Sequence, residues 1–306
     1  MKLRSFWSDV KQYRTLLLML TPAVLFFLLF AYVPMAGIVL AFKQFNYSGG
    51  IFGSPWNGFD NFRFFFDSGD AWRVTRNTAL YNIAFIVVNN VLQIAAAILL
   101  FEAAGKWFRK LAQTMFFLPY FISWVVVGAI AYNLFNYDVG TVNVVMGWLG
   151  LEPLDIYNTA AYWPFILVLV SAWKALGYGT IMYLAAITSI DTEMYEAAEI
   201  DGANVFQRIT RITVPNLYPT LIILVLLAIG NIFRGDFGMF YNMVGNNGLL
   251  FSNTDVIDTF VFRSLTSSNE IGMSAAAGFY QSLLGFATIL FANYAVRKYD
   301  KDRALF

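Results

Sequence analysis

Residues 189–219 read Ser-Ile-Asp-Thr-Glu-Met-Tyr-Glu-Ala-Ala-Glu-Ile-Asp-Gly-Ala-Asn-Val-Phe-Gln-Arg-Ile-Thr-Arg-Ile-Thr-Val-Pro-Asn-Leu-Tyr-Pro, a polar segment set between two long apolar ones. Asp191 is placed to cap a helix whose first turn carries Glu193, where an acid suits the helix dipole. Good helix formers run to Ile200, and Gly202 can turn the chain with positive φ. Phe206, Ile209 and Ile212, spaced by three, predict a second helical stretch. Pro215 and Pro219 then punctuate the junction with the next apolar run. The expectation is two short helices joined at a glycine and lying at a membrane surface, amphipathic but not basic enough to be a simple lipid anchor.

The rest of the chain sets the class. Of 306 residues, 59% are hydrophobic, 18% aromatic and only 13% charged. Soluble domains carry about 25% charged residues, and with a mean hydropathy of +0.60 this chain cannot cover a water-facing surface. A soluble globular domain and a disordered chain are both excluded. A net charge of +1 is too small for nucleic-acid binding by counterion release. With no cysteine there is no disulfide, thiolate metal site or thiol nucleophile, and with no histidine the usual general base and zinc ligand are missing. No metal site is expected.

A membrane helix needs about 20 mostly apolar residues. Six stretches qualify: 15–42, 77–101, 111–137, 156–190 (interrupted only by Lys174), 212–233 and 271–296. A seventh uncharged stretch, 237–254, contains Asn242, Gly245, Asn246, Asn247 and Gly248, whose amides and backbone would be stranded in lipid. It reads as an external loop. The first span is too long for a signal peptide and is read as retained. With the N-terminus cytoplasmic, thirteen Lys and Arg fall inside, among them Lys2, Arg4, Lys301 and Arg303. Five fall outside, and Lys174 and Arg234 lie in or beside spans. Both termini are therefore expected inside. No linker separates the spans, so residues 1–306 read as a single transmembrane domain.

Glu196-Ala197-Ala198, three residues, Gly202, nine residues, then Ile212-Thr213-Val214-Pro215 resembles the EAA loop of ABC importer permeases, with Val214 where that pattern has Leu. Asp201-Gly202-Ala203 is similar to the sugar-importer branch. Leu20-Thr21-Pro22, Tyr32-Val33-Pro34-Met35, Ala41-Phe42-Lys43 and Gly53-Ser54-Pro55-Trp56-Asn57-Gly58-Phe59 look like the start of LplB-like polysaccharide permeases. Thr254 to Arg263 resembles the same group's loop before the last span. The resemblance covers nearly the whole chain. It implies an all-α integral membrane protein with six transmembrane helices, the type I ABC importer permease fold, and a cytoplasmic coupling helix between spans four and five (loop 191–215).

The machine so implied is a heterodimer of two homologous permeases, two copies of a cytoplasmic ATPase and an extracytoplasmic sugar-binding protein, in a bacterial cytoplasmic membrane. Its cargo would be oligosaccharides derived from complex polysaccharides. This chain has no Gly-x4-Gly-Lys-Ser/Thr phosphate loop, so no cofactor is expected on it, and ATP and Mg belong on the partner ATPase. The coupling residues would be Glu196, Ala197, Ala198, Asp201, Gly202 and Ala203. Small side chains let a motor subunit approach closely, the glycine turns the chain, and the acids fix orientation.

Sugar sites use aromatic faces for ring surfaces and amides or charges for hydroxyls. Suitable groups are Asn89, Asn90 and Gln93 in span two, and Asn133 and Asn136 in span three. Trp173, Lys174 and Tyr178 lie in span four, with Asn231, Arg234, Asp236 and Tyr241 at the outer end of span five. The same groups suit helix-to-helix hydrogen bonds or interfacial anchoring. For Lys174, pairing with an acid such as Asp236 or snorkelling to the interface is favoured over sugar contact. Asn246 and Asn247 suit a flexible finger toward the binding protein, or an idle loop.

Three rival readings remain. An ion-gradient-driven transporter would need intramembrane carboxylates and inverted repeats, which are not evident. An enzyme acting on lipid-linked sugars would need clustered acids, and Asp255 and Asp258 read as solvated loop acids. An ABC permease for a non-sugar solute shares the coupling loop, but the aromatic load and the LplB-like ends argue against it.

Overall fold

The computed structural model describes residues 8–103 and 105–299, and among them the chain is helical, with one isolated bridge between Lys43 and Trp56. The basic residues Lys2, Arg4, Lys301 and Arg303, which weigh in the orientation argument, lie outside the described residues. Among the described residues five helices are long and apolar enough to cross a membrane: α1 (Arg14–Phe42), α3 (Asp70–Glu102), α6 (Ala160–Thr188), α8 (Val205–Ile229) and α11 (Ile271–Lys298). Between α1 and α3 lies a short amphipathic helix, α2 (Asp60–Asp67).

The third expected span, 111–137, is not one helix. It is a pair, α4 (Lys106–Phe121) and α5 (Trp124–Phe135), bent by 96°. Pro119 tightens the end of α4 into a 3-10 turn, Leu118–Phe121. Ser123 then starts a new helix in a new direction, its side chain accepting from the Val126 N–H at 3.4 Å. The loop expectation for 237–254 also needs correcting. No span forms there, but Phe237–Val244 folds as α9, with Met239, Phe240, Met243 and Val244 buried. These four apolar residues form one face, which packs on α5 so closely that a Cβ on Gly128 would sit 2.3 Å from the Asn242 carbonyl oxygen.

The coupling segment differs from two separate short helices. Thr192–Ile200 forms α7, capped by Asp191 at the Glu193 N–H as expected. Gly202 turns the chain at φ 77°. The second stretch then starts at Val205, under a reciprocal Asn204–Gln207 capping box. It is the start of α8 itself and runs on through a π turn at Ile209–Thr213. Pro215 follows that π turn inside the helix, and the chain continues helical through it to Ile229.

The parallel pair α3 and α6 is the centre of the bundle. Gln93 donates to the Ala175 carbonyl at 3.0 Å, and the Tyr183 hydroxyl meets Asn90 Oδ1 at 2.5 Å. Packing is concentrated where α3 begins. One cluster there joins Tyr81, Trp163, Leu167, Phe240 and Leu250, and another joins Phe65, Val74, Ile257 and Phe260. The opposite end has a smaller cluster of Ala97, Tyr183, Ile187 and Leu217. Helices α10 (Ile257–Thr266) and α11 close the first of these ends. By contrast, every residue of α1 from 14 to 36 is exposed, and only its last turns join the bundle.

Candidate functional site

On α3, Asn82, Ile86, Asn89, Asn90 and Gln93 follow one another at intervals of three, four and one, a single helical face. Tyr178 and Gly179 of α6 and Leu224, Ala228 and Asn231 of α8 complete a cleft of about 340 Å³ along it. The amides are oriented by the helices that carry them. Asn82 donates to the Thr78 carbonyl at 2.9 Å and the Arg234 carbonyl at 3.0 Å. Asn90 donates to Ile86 O at 2.6 Å and Asn231 to Leu227 O at 3.1 Å. Asn89 holds Ser171 at 3.5 Å, while its Oδ1 has no partner. Tyr178 is half exposed, and its ring stacks on Tyr120 at 5.3 Å and 14°. The cleft thus offers amide donors and acceptors and an aromatic face, with no charged side chain in its lining. It can orient hydroxyls and accommodate apolar ring faces, but it holds no group suited to attack or to acid–base transfer.

Of the residues singled out in the sequence, Tyr178, Asn231, Asn89, Asn90 and Gln93 come together here. Asn82 completes the set, and its place seven residues before Asn89 on the same face was the readable signal. The others are dispersed. Asn133 is exposed on α5 and donates back to Ala129 O at 2.8 Å. Trp173 is exposed on α6, away from the cleft lining. Arg234 lines a second cleft with Asn231, Phe233 and Gln281 between α8 and α11. Asp236 caps α9, accepting from the Met239 N–H at 3.0 Å. Tyr241 lies with Asn246, Phe262 and Arg263 around a small crevice beside α10. Asn246 is exposed, but Asn247 donates to the Tyr157 carbonyl at 2.6 Å and accepts from Leu249, so its loop is pinned.

Lys174 does something the sequence did not suggest. Its ammonium donates to the carbonyls of Pro119 (3.2 Å), Tyr120 (3.0 Å) and Ile122, and lies 5.1 Å from the Trp124 ring centroid. It caps the C-terminal carbonyls left open where α4 breaks, with the right charge for the negative end of that helix. One turn on, a Cβ on Gly177 would meet the Phe116 carbonyl oxygen at 2.3 Å, so only glycine lets α4 lie this close. The break in the third span is therefore held from α6.

At the other end of α6 the coupling residues form a hairpin. Ala203 N–H bonds Ala198 O at 2.8 Å and Gly202 N–H bonds Glu199 O at 3.0 Å, closing α7 around the positive-φ glycine. Glu196, Ala197, Asp201 and Gly202 are exposed, while Ala198 and Ala203 are half-buried. Beside them Ile200 is 87% exposed and Phe206 73%, an apolar knob with little cover from its own chain. Arg208 lies between Glu199 (3.6 Å) and Glu102 (3.9 Å), and Tyr195 meets Thr213 at 3.0 Å, so α7 is tied to both α3 and α8.

Of the acids read as solvated, Asp255 is buried and Asp258 half-buried. The side chain of Asp255 has no exposed surface. It takes both Nη atoms of Arg263 (3.0 and 2.6 Å), Nη2 of Arg73 (3.1 Å) and the Thr259 hydroxyl (2.9 Å). Asp258 Oδ2 accepts from the Gly235 N–H at 2.6 Å and from Gln281 at 2.8 Å. Burial lifts its carboxyl above the ordinary carboxylate value, against the pull of those two donors and of Arg234. These acids are the internal partners of basic and amide groups, which the linear sequence could not display.

Residues 90–301 match the family described as binding-protein-dependent transport system inner membrane component. The chain belongs to this family. The permease is 34% identical over 298 residues to Protein LplB of Bacillus subtilis (strain 168), covering 97% of this chain and 93% of that one. It is 30% identical to the polygalacturonan/rhamnogalacturonan transport system permease protein YteP of the same organism, covering 95% and 90%. Among solved structures, a bacterial ABC transporter involved in the import of the acidic polysaccharide alginate superimposes with a TM-score of 0.87 at 32% identity, covering 96% of this permease and 99% of that chain. The fold is that of an ABC importer permease, and the all-helical membrane expectation holds, with the third span broken.

Proposed function

We propose that this permease forms one side of an ATP-driven import path for oligosaccharides. The amide-lined cleft between α3, α6 and α8 carries the reading, because it offers hydroxyl partners and an aromatic face with neither charge nor reactive group. Relatives named as permeases for polygalacturonan/rhamnogalacturonan and for arabinooligosaccharides support the same reading.

The partners follow from surfaces the chain does not cover itself. A second, homologous permease gives α1 something to pack on, since residues 14–36 are exposed all round. Two copies of a cytoplasmic ATPase carry ATP and Mg, and one of them receives the Ile200–Phe206 knob, with Glu196, Ala197, Ala198, Asp201, Gly202 and Ala203 forming the hairpin around it. An extracytoplasmic binding protein delivers the sugar to the opposite end, where Asn246 is exposed on a loop that Asn247 fixes. Residues 1–306 act as one unit in a bacterial cytoplasmic membrane with both termini inside, and no cofactor is bound by this chain.

The test is uptake into proteoliposomes holding the complex isolated from its native membrane. ATP inside and binding protein outside should drive oligosaccharide entering, and proton or sodium gradients alone should not. Mass identification of co-purifying chains should return a second permease and an ATPase. Gradient-driven uptake without ATP would instead favour the secondary transporter, and uptake of amino acids or peptides the non-sugar permease.

A further inference from the structure

A second groove runs between α3 and α6, on a different face of α3 from the amide cleft. Its lining includes Arg76, Leu80 and Ala84, four residues apart on α3, facing Pro164 and Val168 of α6, with Asn253 at one end. Its volume is about 390 Å³. The surface around it is apolar and uncovered: Leu80 is 58% exposed, Phe165 78% and Leu169 70%. In a membrane this surface faces acyl chains or another helix.

The groove is not uniformly apolar. Arg76 stands at its upper end, exposed, with its guanidinium held by Asn77 Oδ1 at 3.0 Å and the Ser252 carbonyl at 3.3 Å. It has no ion pair with a carboxylate among the described residues. Arg73, three residues earlier, is paired with both Asp70 and Asp255. One arginine of the pair is thus neutralised and the other is not. Trp72, one turn before Arg76 and 73% exposed, marks the level of the headgroups, where tryptophans gather. From Arg76 to Ala84 the groove descends about 12 Å at ~1.5 Å per residue, most of one leaflet of a ~30 Å hydrocarbon core.

We propose that this groove is a binding site for an anionic phospholipid, with the phosphate at Arg76 and one acyl chain along Leu80, Ala84 and Val168. The occupant is a lipid because charge and apolar lining lie in the order, and at the spacing, of headgroup and chain. The site stands on the membrane reading alone and does not depend on what the permease transports.

Native mass spectrometry of the complex in nanodiscs tests it. Wild type should retain phosphatidylglycerol about fivefold better than phosphatidylcholine, the gain expected of one basic residue at an anionic surface. Arg76→Gln should erase that preference without changing the melting temperature. Val168→Trp should displace both lipids. Should that variant not assemble, a photo-crosslinking residue at position 80 gives a second reading, expected as a phospholipid adduct. A crosslink from position 80 to the second permease would overturn the proposal. So would retention of phosphatidylglycerol that ignores both substitutions. Binding of inorganic phosphate alone that Arg76→Gln removes and Val168→Trp leaves intact would make this an ion site, and would overturn it too.

Discussion

Where α3 begins, Asp255 is wholly buried and answered by Arg263, Arg73 and Thr259, while Asn77 donates to its carbonyl and two apolar clusters pack around it. Where α3 ends, the packing is thinner, Ile200 and Phe206 stand out from the surface, and one arginine spans two glutamates at 3.6 and 3.9 Å. The first end is satisfied by its own side chains; the second leaves apolar side chains uncovered by this chain. The difference suits the proposed coupling, in which one end stays fixed while an ATPase acts on the other. It also fixes where substitutions hurt the chain and where they hurt only the assembly.

Asp255→Asn should have the largest effect. It leaves the half-buried Arg263 guanidinium without its carboxylate and takes from Arg73 one of its two, and breaking such a network from one side costs about 3–5 kcal/mol. Thermal unfolding of the purified chain in detergent should fall steeply. A loss of less than about 1 kcal/mol would mean that water enters the site, and the first end would then be no more self-contained than the second.

Lys174→Met comes next, between the two ends. Three carbonyls at the α4 break lose their donor, at a cost of about 1–3 kcal/mol. Lys174→Arg, which keeps charge and donors, should recover most of it. Uptake should fail in the methionine variant even where the complex assembles, because α5 carries the surface on which α9 packs. Equal stability of wild type and Lys174→Met would show that the bend at Leu118–Ser123 holds itself.

How much of this was legible follows the same division. Composition and run length gave the membrane class and most span positions, because crossing lipid is a local demand on the sequence. The hairpin was readable too: Asp191 capping and the Gly202 turn are decided within a few residues. The break at Pro119 was not read, because Leu111 to Phe135 carries no charged residue and the reason the bend persists is Lys174, 55 residues away from Pro119. Asp255 misled for the same reason. Arg73 is its partner across 182 residues, and an acid in a loop looks solvated until that distance is closed. In α9, the spacing of Met239, Phe240, Met243 and Val244 was a signal overshadowed by the amides that follow.

Ile200→Asp sharpens the contrast from the inner side. The side chain is 87% exposed, so the chain's own stability should change by less than about 0.5 kcal/mol. ATPase co-purification should weaken about tenfold, equivalent to ~1.4 kcal/mol. A fall in stability with unchanged association would mean the knob belongs to this chain's own packing.

The smallest effect expected is a pH dependence at the well-packed end. Burial raises the Asp258 carboxyl above its ordinary value of 3.8, more than Gly235, Gln281 and Arg234 lower it. The folded chain therefore keeps that proton to higher pH than the unfolded chain does. Below the ordinary value both states are protonated and Asp258 is neutral in the balance. As pH rises through the ordinary value toward the raised one, the unfolded state loses its proton first, and stability falls. Above the raised value the loss is complete and constant. Measured against Asp258→Asn, which titrates nothing at this position, wild type should lose stability as pH rises across that window. All other acids cancel in the difference. A wild type that instead gains on the asparagine variant as pH rises would mean the donors outweigh burial at Asp258.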